Sequence, residues 1–255
     1  MQRYMVSHSL TSVKDDAIEL EDDFFHHMKH VMRFKPETQV FLSDPNGYSV
    51  IAEITHFTAT SVWLKWVADE EGTSELPVDI TIVCGLSKGD KLELVVQKAT
   101  ELGVNTIIPF ASQYSVVKWD KNKMKKKHVR FQRIAQEAAE QSHRQQIPTV
   151  EETMQLNELI EFSKDYTHKL VAYEEASKHN ELGNFAKTLK SMQAGDRLMI
   201  VFGPEGGLSP NEITQFQEQG FSLCGLGPRI MRTEPAPLYA LAAISYQFEL
   251  LNGGD

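Results

Sequence analysis

The sequence predicts an α/β protein of two domains, a small β-rich one followed by a larger one built on a parallel sheet. Three observations predict it. Residues 78–84 and 106–110 are short apolar runs that bracket an amphipathic helix over 90–102 closed by Gly103, a βαβ pattern whose strands run parallel. Ahead of it, residues 38–43, 48–56 and 60–67 alternate or run apolar, and Asp44-Pro45-Asn46-Gly47 between the first two is a strong hairpin turn. Residues 69–75, polar and acidic without periodicity, read as the linker between the two regions.

Length and composition agree with that division. A chain of 255 residues exceeds one average domain and falls short of three. With 41% hydrophobic and 24% charged residues it supports an ordinary buried core, and no apolar run approaches the ~20 residues of a membrane span. No apolar stretch behind Met1-Gln2-Arg3-Tyr4 has the form of a signal peptide, so the cytoplasm is the expected location. Cys84 and Cys224 lie in apolar runs with neither metal-ligand nor redox spacing and are expected as buried thiols, with no metal.

Taken in order, the N-terminal strands suggest a small β-barrel, interrupted by a helix over about 21–33 whose apolar face is Phe24, Phe25, Met28, Val31 and Met32. His26 and His30 are four apart on that helix, but no acidic ligand or base accompanies them as a zinc protease would need, so a surface with RNA contact is preferred to a metal pair. In the second domain further strands are predicted at 169–173, 198–202 and 221–224. A long helix over about 120–142 places Met124, Phe131, Ala135, Ala138 and Ser142 on one stripe, with Lys123, Lys126, Lys127, Arg130 and Arg133 along its flank. If the helix continued, Gln141 and Arg144 would extend that flank.

Net charge alone argues against a polyanionic partner. The formal charge is -9, yet residues 118–133 carry eight Lys or Arg against Asp120, so that segment is +7 and the remainder -16. A concentrated patch can bind a polyanion that the whole chain would repel. A merely solvated face is the competing reading.

Two loops near the C-terminus hold the densest chemistry. The first, Gly203-Pro204-Glu205-Gly206-Gly207-Leu208-Ser209-Pro210, follows an apolar strand and ends in a capping box: Ser209 at the N-cap, Pro210 at the first helical position and Glu212 reaching back. Capping explains Ser209 to Glu212. It leaves the three glycines and Glu205 unexplained, and these read either as a tight turn or as backbone that approaches a ligand closely. Neither a dinucleotide-binding nor a phosphate-loop pattern occurs there, and an acidic Glu205 suits a cofactor with a positive centre, such as S-adenosylmethionine. The second loop, Leu226-Gly227-Pro228-Arg229-Ile230-Met231-Arg232-Thr233-Glu234-Pro235-Ala236-Pro237, is stiffened by its prolines and offers arginines that can hold an anion. Both loops leave β-type runs and enter helices, the place where open α/β sheets bind ligands, so one shared cofactor pocket is expected. The segment after Pro237, residues 238–251, is apolar almost all round, which predicts burial of a second face in a homodimer.

Four stretches carry a resemblance beyond these patterns. Residues 89–103 (Gly-Asp-Lys-Leu-Glu-Leu-Val-Val-Gln-Lys-Ala-Thr-Glu-Leu-Gly), 137–144 (Glu-Ala-Ala-Glu-Gln-Ser-His-Arg), 202–209 (Phe-Gly-Pro-Glu-Gly-Gly-Leu-Ser) and 226–234 (Leu-Gly-Pro-Arg-Ile-Met-Arg-Thr-Glu) resemble the ribosomal RNA small subunit methyltransferase E family, with Arg3-Tyr4 and His26-His27 extending the likeness. The resemblance implies a C-terminal α/β SPOUT methyltransferase domain over 73–255, tied in a trefoil knot, preceded by a PUA-like RNA-binding β-barrel over 1–72. It implies methyl transfer from S-adenosylmethionine to N3 of a specific uridine of 16S rRNA in the small ribosomal subunit, by a homodimer. Carried onto this chain, the cofactor site is Phe202, Gly203, Pro204, Glu205, Gly206, Leu226, Gly227, Ile230, Met231 and Arg232. Arg232 and Glu234 are the catalytic candidates, and Arg3, His27, Arg33, Lys123, Lys126, Lys127, Arg130, Arg133, Gln141 and Arg144 the RNA contacts.

One position departs from the family pattern, which has threonine where this chain has Pro235. A hydroxyl and an N–H are lost, and Glu234 is biased away from helix by the proline that follows. In a first helical turn the proline is tolerated. Two other readings stay open: a non-catalytic RNA-binding or assembly factor with the same fold, and a metabolic enzyme that uses the glycine loop for a phosphorylated small molecule.

Overall fold

A computed structural model describes residues 1–11, 17–173 and 183–251. The chain forms two compact units, Met1–Glu75 with Ala139–Ile147, and Leu76–Ala138 with Pro148–Asp255. The first unit is built from two stretches of chain, the second being Ala139–Ile147.

In the first unit, β1 (Arg3–Met5), β2 (Ile18–Glu21), α1 (Asp22–His26), β3 (Gln39–Ser43), β4 (Ser49–Phe57) and β5 (Ser61–Asp69) follow in order. The five strands make one sheet in the order β1-β3-β4-β5-β2, with β1 and β2 as its edges, curled into a half-barrel. Period-two alternation directs Val40, Leu42, Val50, Ala52, Ile54, Val62 and Leu64 into a common core with Ile18, Leu20 and Met28. The turn after β3 closes through the Gly47 N–H, which donates to Asp44 O at 3.0 Å. After α1 the chain widens into a π-helical segment, His27–Val31.

The second unit contains β6 (Asp79–Gly85), α2 (Lys91–Glu101), β7 (Thr106–Phe110), α3 (Lys121–Gln141, ending in the first unit), β8 (Thr149–Val150), α4 (Leu156–Phe162), β9 (His168–Ala172), α5 (Asn184–Ser191), β10 (Arg197–Phe202), α6 (Pro210–Glu218), β11 (Ser222–Cys224) and α7 (Pro235–Ser245). Its sheet runs β11-β9-β10-β6-β7-β8, and every pairing is parallel. Strand residues of opposite parity fill both faces: Val83, Ile108, Val171, Met199 and Val201 pack with Leu159, Ile213 and Phe216, while Ile80, Ile82, Leu198 and Ile200 are buried on the other side. Both faces of a parallel sheet are covered in this way because its crossovers are helices. From β6 the chain winds outward through β7 to β8, then returns to the far side of β6 for β9 and β10. The β6/β10 seam is thus where the winding direction changes, and ligands of such sheets bind at the carboxyl ends of strands at that point.

Candidate active site

Because the strands are parallel, the loops leaving β6, β10 and β11 emerge at one edge of the sheet. Cys84 and Phe202 are register partners at the end of the β6/β10 seam. Beyond them lies a cleft lined by Cys84, Gly85, Ser87, Lys91, Leu92, Val95, Phe202, Gly203, Thr233 and Glu234, enclosing about 10 Å³, room for about one water molecule. Both loops singled out in the sequence reach it. The β6–α2 segment, which sequence reasoning left without a role, supplies the remaining wall.

The first loop is held by packing. Gly85 sits so close to it that a Cβ there would lie 2.3 Å from Pro204 N, and Gly203 and Gly206 abut Leu208 and Tyr114. The Gly207 N–H donates to Pro204 O at 2.8 Å. The capping box forms as predicted: Ser209 N–H donates to Glu212 Oε2 at 2.8 Å, and Glu212 N–H to Ser209 Oγ at 3.2 Å. Glu212 does more than cap. It is buried, and its Oε1 accepts from the Gln113 N–H at 2.8 Å, joining the loop after β7 to the start of α6. Close packing therefore accounts for the glycines at 85, 203 and 206 without a ligand.

The second loop has no such scaffold. Among the described residues, no main-chain N–H or C=O of residues 225–231 makes a hydrogen bond within the protein, and Ile230 is 77% exposed. Gly227 adopts φ 102° with open space beside it, a conformation that a side chain would strain. Main-chain groups in this state need partners from water or a bound molecule. Leu226 and Met231 are half-buried and Arg232 is exposed.

Glu234 turns inward. Its Oε1 lies 3.0 Å from Lys91 Nζ, and its Oε2 accepts from Thr233 Oγ1 at 3.2 Å. The same ammonium reaches Glu205 Oε1 at 2.9 Å. Burial opposes ionisation of both carboxyls, but hydrogen bonding, including that from Lys91, outweighs it and leaves each below the usual carboxylate range. Lys91 is correspondingly raised, first by Glu205 and then by Glu234. Glu234 thus pairs with lysine rather than with Arg232. Sequence reasoning missed Lys91, although it stands in the first of the four resembling stretches. Glu234 takes helical dihedrals (φ -77°, ψ -50°) despite the following proline, and Pro235 occupies the first turn of α7. The local bias yields to the two side-chain anchors.

The basic residues separate into distinct groups. Arg3 is 1% exposed, with Nη1 donating to Ser43 Oγ and Ser49 Oγ at 2.6 and 2.7 Å, Nη2 bonded to Glu70 Oε1 at 2.6 Å, and its guanidinium over the Phe41 ring. Arg144 is also buried and bonded to Glu75 through Nε at 3.0 Å and through Nη2. Both guanidiniums are held by internal carboxylates. Helix α3 stops at Gln141, and the left-handed His143 turns the chain away, so the basic flank does not run on to Arg144. Lys127 and Arg130 both bond Glu93, whose carboxyl is lowered to about 2, chiefly by the Arg130 hydrogen bond. Arg133 pairs with exposed Glu137. Lys121, Lys123, Lys125 and Lys126 are exposed without an ion pair among the described residues, and Gln141 is exposed. His27 Nδ1 meets Tyr4 Oη at 2.9 Å, and Arg33 is exposed in a left-handed conformation.

Cys84 and Cys224 are buried free thiols, and burial pushes Cys84 up to about 12. The His26 and His30 rings lie 5.4 Å apart. Among the described residues no three His, Cys, Asp or Glu side chains gather as metal ligands, and no helix is long and apolar enough to cross a membrane.

Known proteins share this arrangement. Residues 74–245 match an RNA methyltransferase domain, and residues 20–65 an RNA methyltransferase PUA domain, so the class is that of PUA-bearing RNA methyltransferases. Within that class, the chain is 42% identical over 254 residues to ribosomal RNA small subunit methyltransferase E of Bacillus subtilis, covering 99% of each chain. The Synechocystis relative of the same name is 30% identical over 88% of this chain and 71% of its own. A crystal structure of a ribosomal RNA small subunit methyltransferase E from Neisseria gonorrhoeae bound to S-adenosyl methionine has a TM-score of 0.83 and 29% identity, over 97% of this chain and 98% of that one. The chain belongs to the ribosomal RNA small subunit methyltransferase E family.

Proposed function

We propose that the chain transfers a methyl group from S-adenosylmethionine to N3 of a specific uridine of 16S rRNA in the small ribosomal subunit. The observation that carries this reading is the cleft at the β6/β10 seam, lined by Lys91 and Glu234, with Glu205 paired to the same lysine, in a chain of this family. The residues fit such a cofactor. Two carboxylates and one ammonium leave a net negative site, suited to the sulfonium and ammonium of S-adenosylmethionine, and the main chain of residues 225–231, without a hydrogen bond among the described residues, can read a larger ligand beyond the small enclosed space. Phe202, Gly203, Pro204, Glu205, Gly206, Leu226, Gly227, Ile230, Met231 and Arg232 are the residues that would hold it.

The cofactor supplies an electrophilic methyl on a sulfonium centre. The imide N3 becomes nucleophilic once its proton leaves, and Arg232, exposed and always cationic, stabilises the developing anion. Glu234 is kept ionised by Lys91 and Thr233 and accepts the proton or orients its path. No thiol takes part, in keeping with the raised, buried Cys84.

On this reading residues 1–72 form the RNA-binding domain and 73–255 a knotted SPOUT methyltransferase domain, working in the cytoplasm. RNA phosphates meet the solvent-facing lysines of α3, Lys123 and Lys126 first. Exposed Tyr239, Tyr246, Leu250 and Leu251 at the C-terminal helix support a homodimer that covers them. The test is transfer of labelled methyl into small subunits from a strain lacking the modification, followed by mapping of the base. Label at N3 of one 16S uridine is expected; label elsewhere, or none with cofactor bound, would overturn the assignment.

A further inference from the structure

Lys91 is the first residue of α2, and its ammonium joins one carboxylate from each loop, Glu205 at 2.9 Å and Glu234 at 3.0 Å. Two carboxylate oxygens held by one nitrogen lie within ~6 Å of each other, where like charges repel. The ammonium converts that repulsion into a bridge. Each end is steadied: Glu205 Oε1 also faces the Lys88 N–H at 3.4 Å, and Glu234 receives the Thr233 hydroxyl. The first loop is already fixed by packing against Gly85 and by the Glu212 cap, whereas among the described residues the main chain of 225–231 makes no hydrogen bond. Glu234 is therefore a point at which a side chain ties the open loop to something rigid.

We infer that Lys91 is a positioning residue for methyl transfer: by bridging Glu205 and Glu234 it registers the second loop, with Arg232, against the first. The inference rests on the methyl-transfer reading above. Partly exposed ion pairs add little to stability, so the consequence lies in geometry. Simple electrostatics predicts the opposite sign for affinity. Removing the lysine charge makes the cleft more negative and should favour a cationic cofactor, so weaker binding on removal is diagnostic of positioning.

The test compares wild type, Lys91→Met, Lys91→Arg, Glu205→Gln and the Lys91→Met/Glu205→Gln double variant. S-adenosylmethionine binding is measured by calorimetry, kcat and KM on small subunits by labelled methyl transfer, and folding by thermal melting. Lys91→Met and Glu205→Gln are each expected to weaken cofactor binding and lower kcat roughly tenfold, with KM for the subunit unchanged. The double variant should lose no more than the worse single, because all three break one bridge. Lys91→Arg should recover most of the loss, since its forked donors span two carboxylates. Wild-type binding and kcat in Lys91→Met, or losses that multiply in the double variant, would overturn the inference while leaving the enzyme assignment intact. Wild type that binds no S-adenosylmethionine would instead sink the underlying reading, and the bridge with it.

Discussion

The two loops at the cleft are built on opposite principles. Residues 203–209 are set by contacts that exist in the folded chain alone: Pro204 against Gly85, the Gly207 turn, and a buried Glu212 that serves both Ser209 and Gln113. Residues 225–231 have, among the described residues, no main-chain hydrogen bond, an Ile230 facing solvent, and a side-chain tie through Glu234 just beyond them. One wall is finished by folding, and the other keeps its main chain without internal partners among the described residues. Stability and catalysis should therefore separate between the loops.

The largest effect is expected in the rigid wall. Gly85→Ala would put a methyl 2.3 Å from Pro204 N and 2.5 Å from Pro204 Cδ, backbone and ring atoms that cannot swing aside. A cost of about 3 kcal/mol follows for such overpacking, and at 2–4 °C per kcal/mol a melting temperature lowered by roughly 10 °C. An unshifted melting curve would show that the first loop is not pinned there. In the open wall, Arg232→Ala should lower kcat by about 100-fold, the loss typical of one anion-stabilising donor, without moving the melting temperature. Labelled methyl transfer at saturating substrate measures it, and an undiminished rate removes Arg232 from catalysis. Glu212→Gln comes next. It places an amide donor among the Ser209, Gln113 and Ser112 donors and should cost about 1–2 kcal/mol by denaturant titration, with kcat within twofold of wild type.

The same contrast explains what could be read from sequence. Local patterns were legible: the parallel strands at 106–110 and 198–202, the Ser209–Glu212 cap and the buried stripe Phe131, Ala135, Ala138 all depend on neighbours a few residues away. The fate of individual charges was not. Arg3 finds Glu70, Arg144 finds Glu75, and Lys91 finds Glu205, partners separated by 67, 69 and 114 residues, and no periodicity reports such pairs. A cluster of arginines in sequence states how much charge is present and says nothing of which carboxylate neutralises it. Glycines posed the same difficulty. Those of the first loop serve close packing, and the Gly85 that enforces it lies 119 residues upstream of Pro204, at a strand end no loop motif includes.

The smallest predicted effect concerns Pro235, where the resemblance leads one to expect threonine. It begins α7, and its missing N–H falls among the helix-start donors that lack an intrahelical acceptor anyway. Restoring the hydroxyl by Pro235→Thr gives up the ring's restriction of the unfolded chain, a loss of about 0.5 kcal/mol and about 1–2 °C in melting temperature. The preceding turn is held independently of residue 235: the Ala236 N–H donates to Arg232 O at 3.2 Å, and Glu234 remains on Lys91. Methyl transfer should then stay within twofold of wild type. A gain of tenfold or more would place the hydroxyl at position 235 in contact with cofactor or base, and would mean that this loop is less completely equipped in the present chain than its anchored carboxylate suggests.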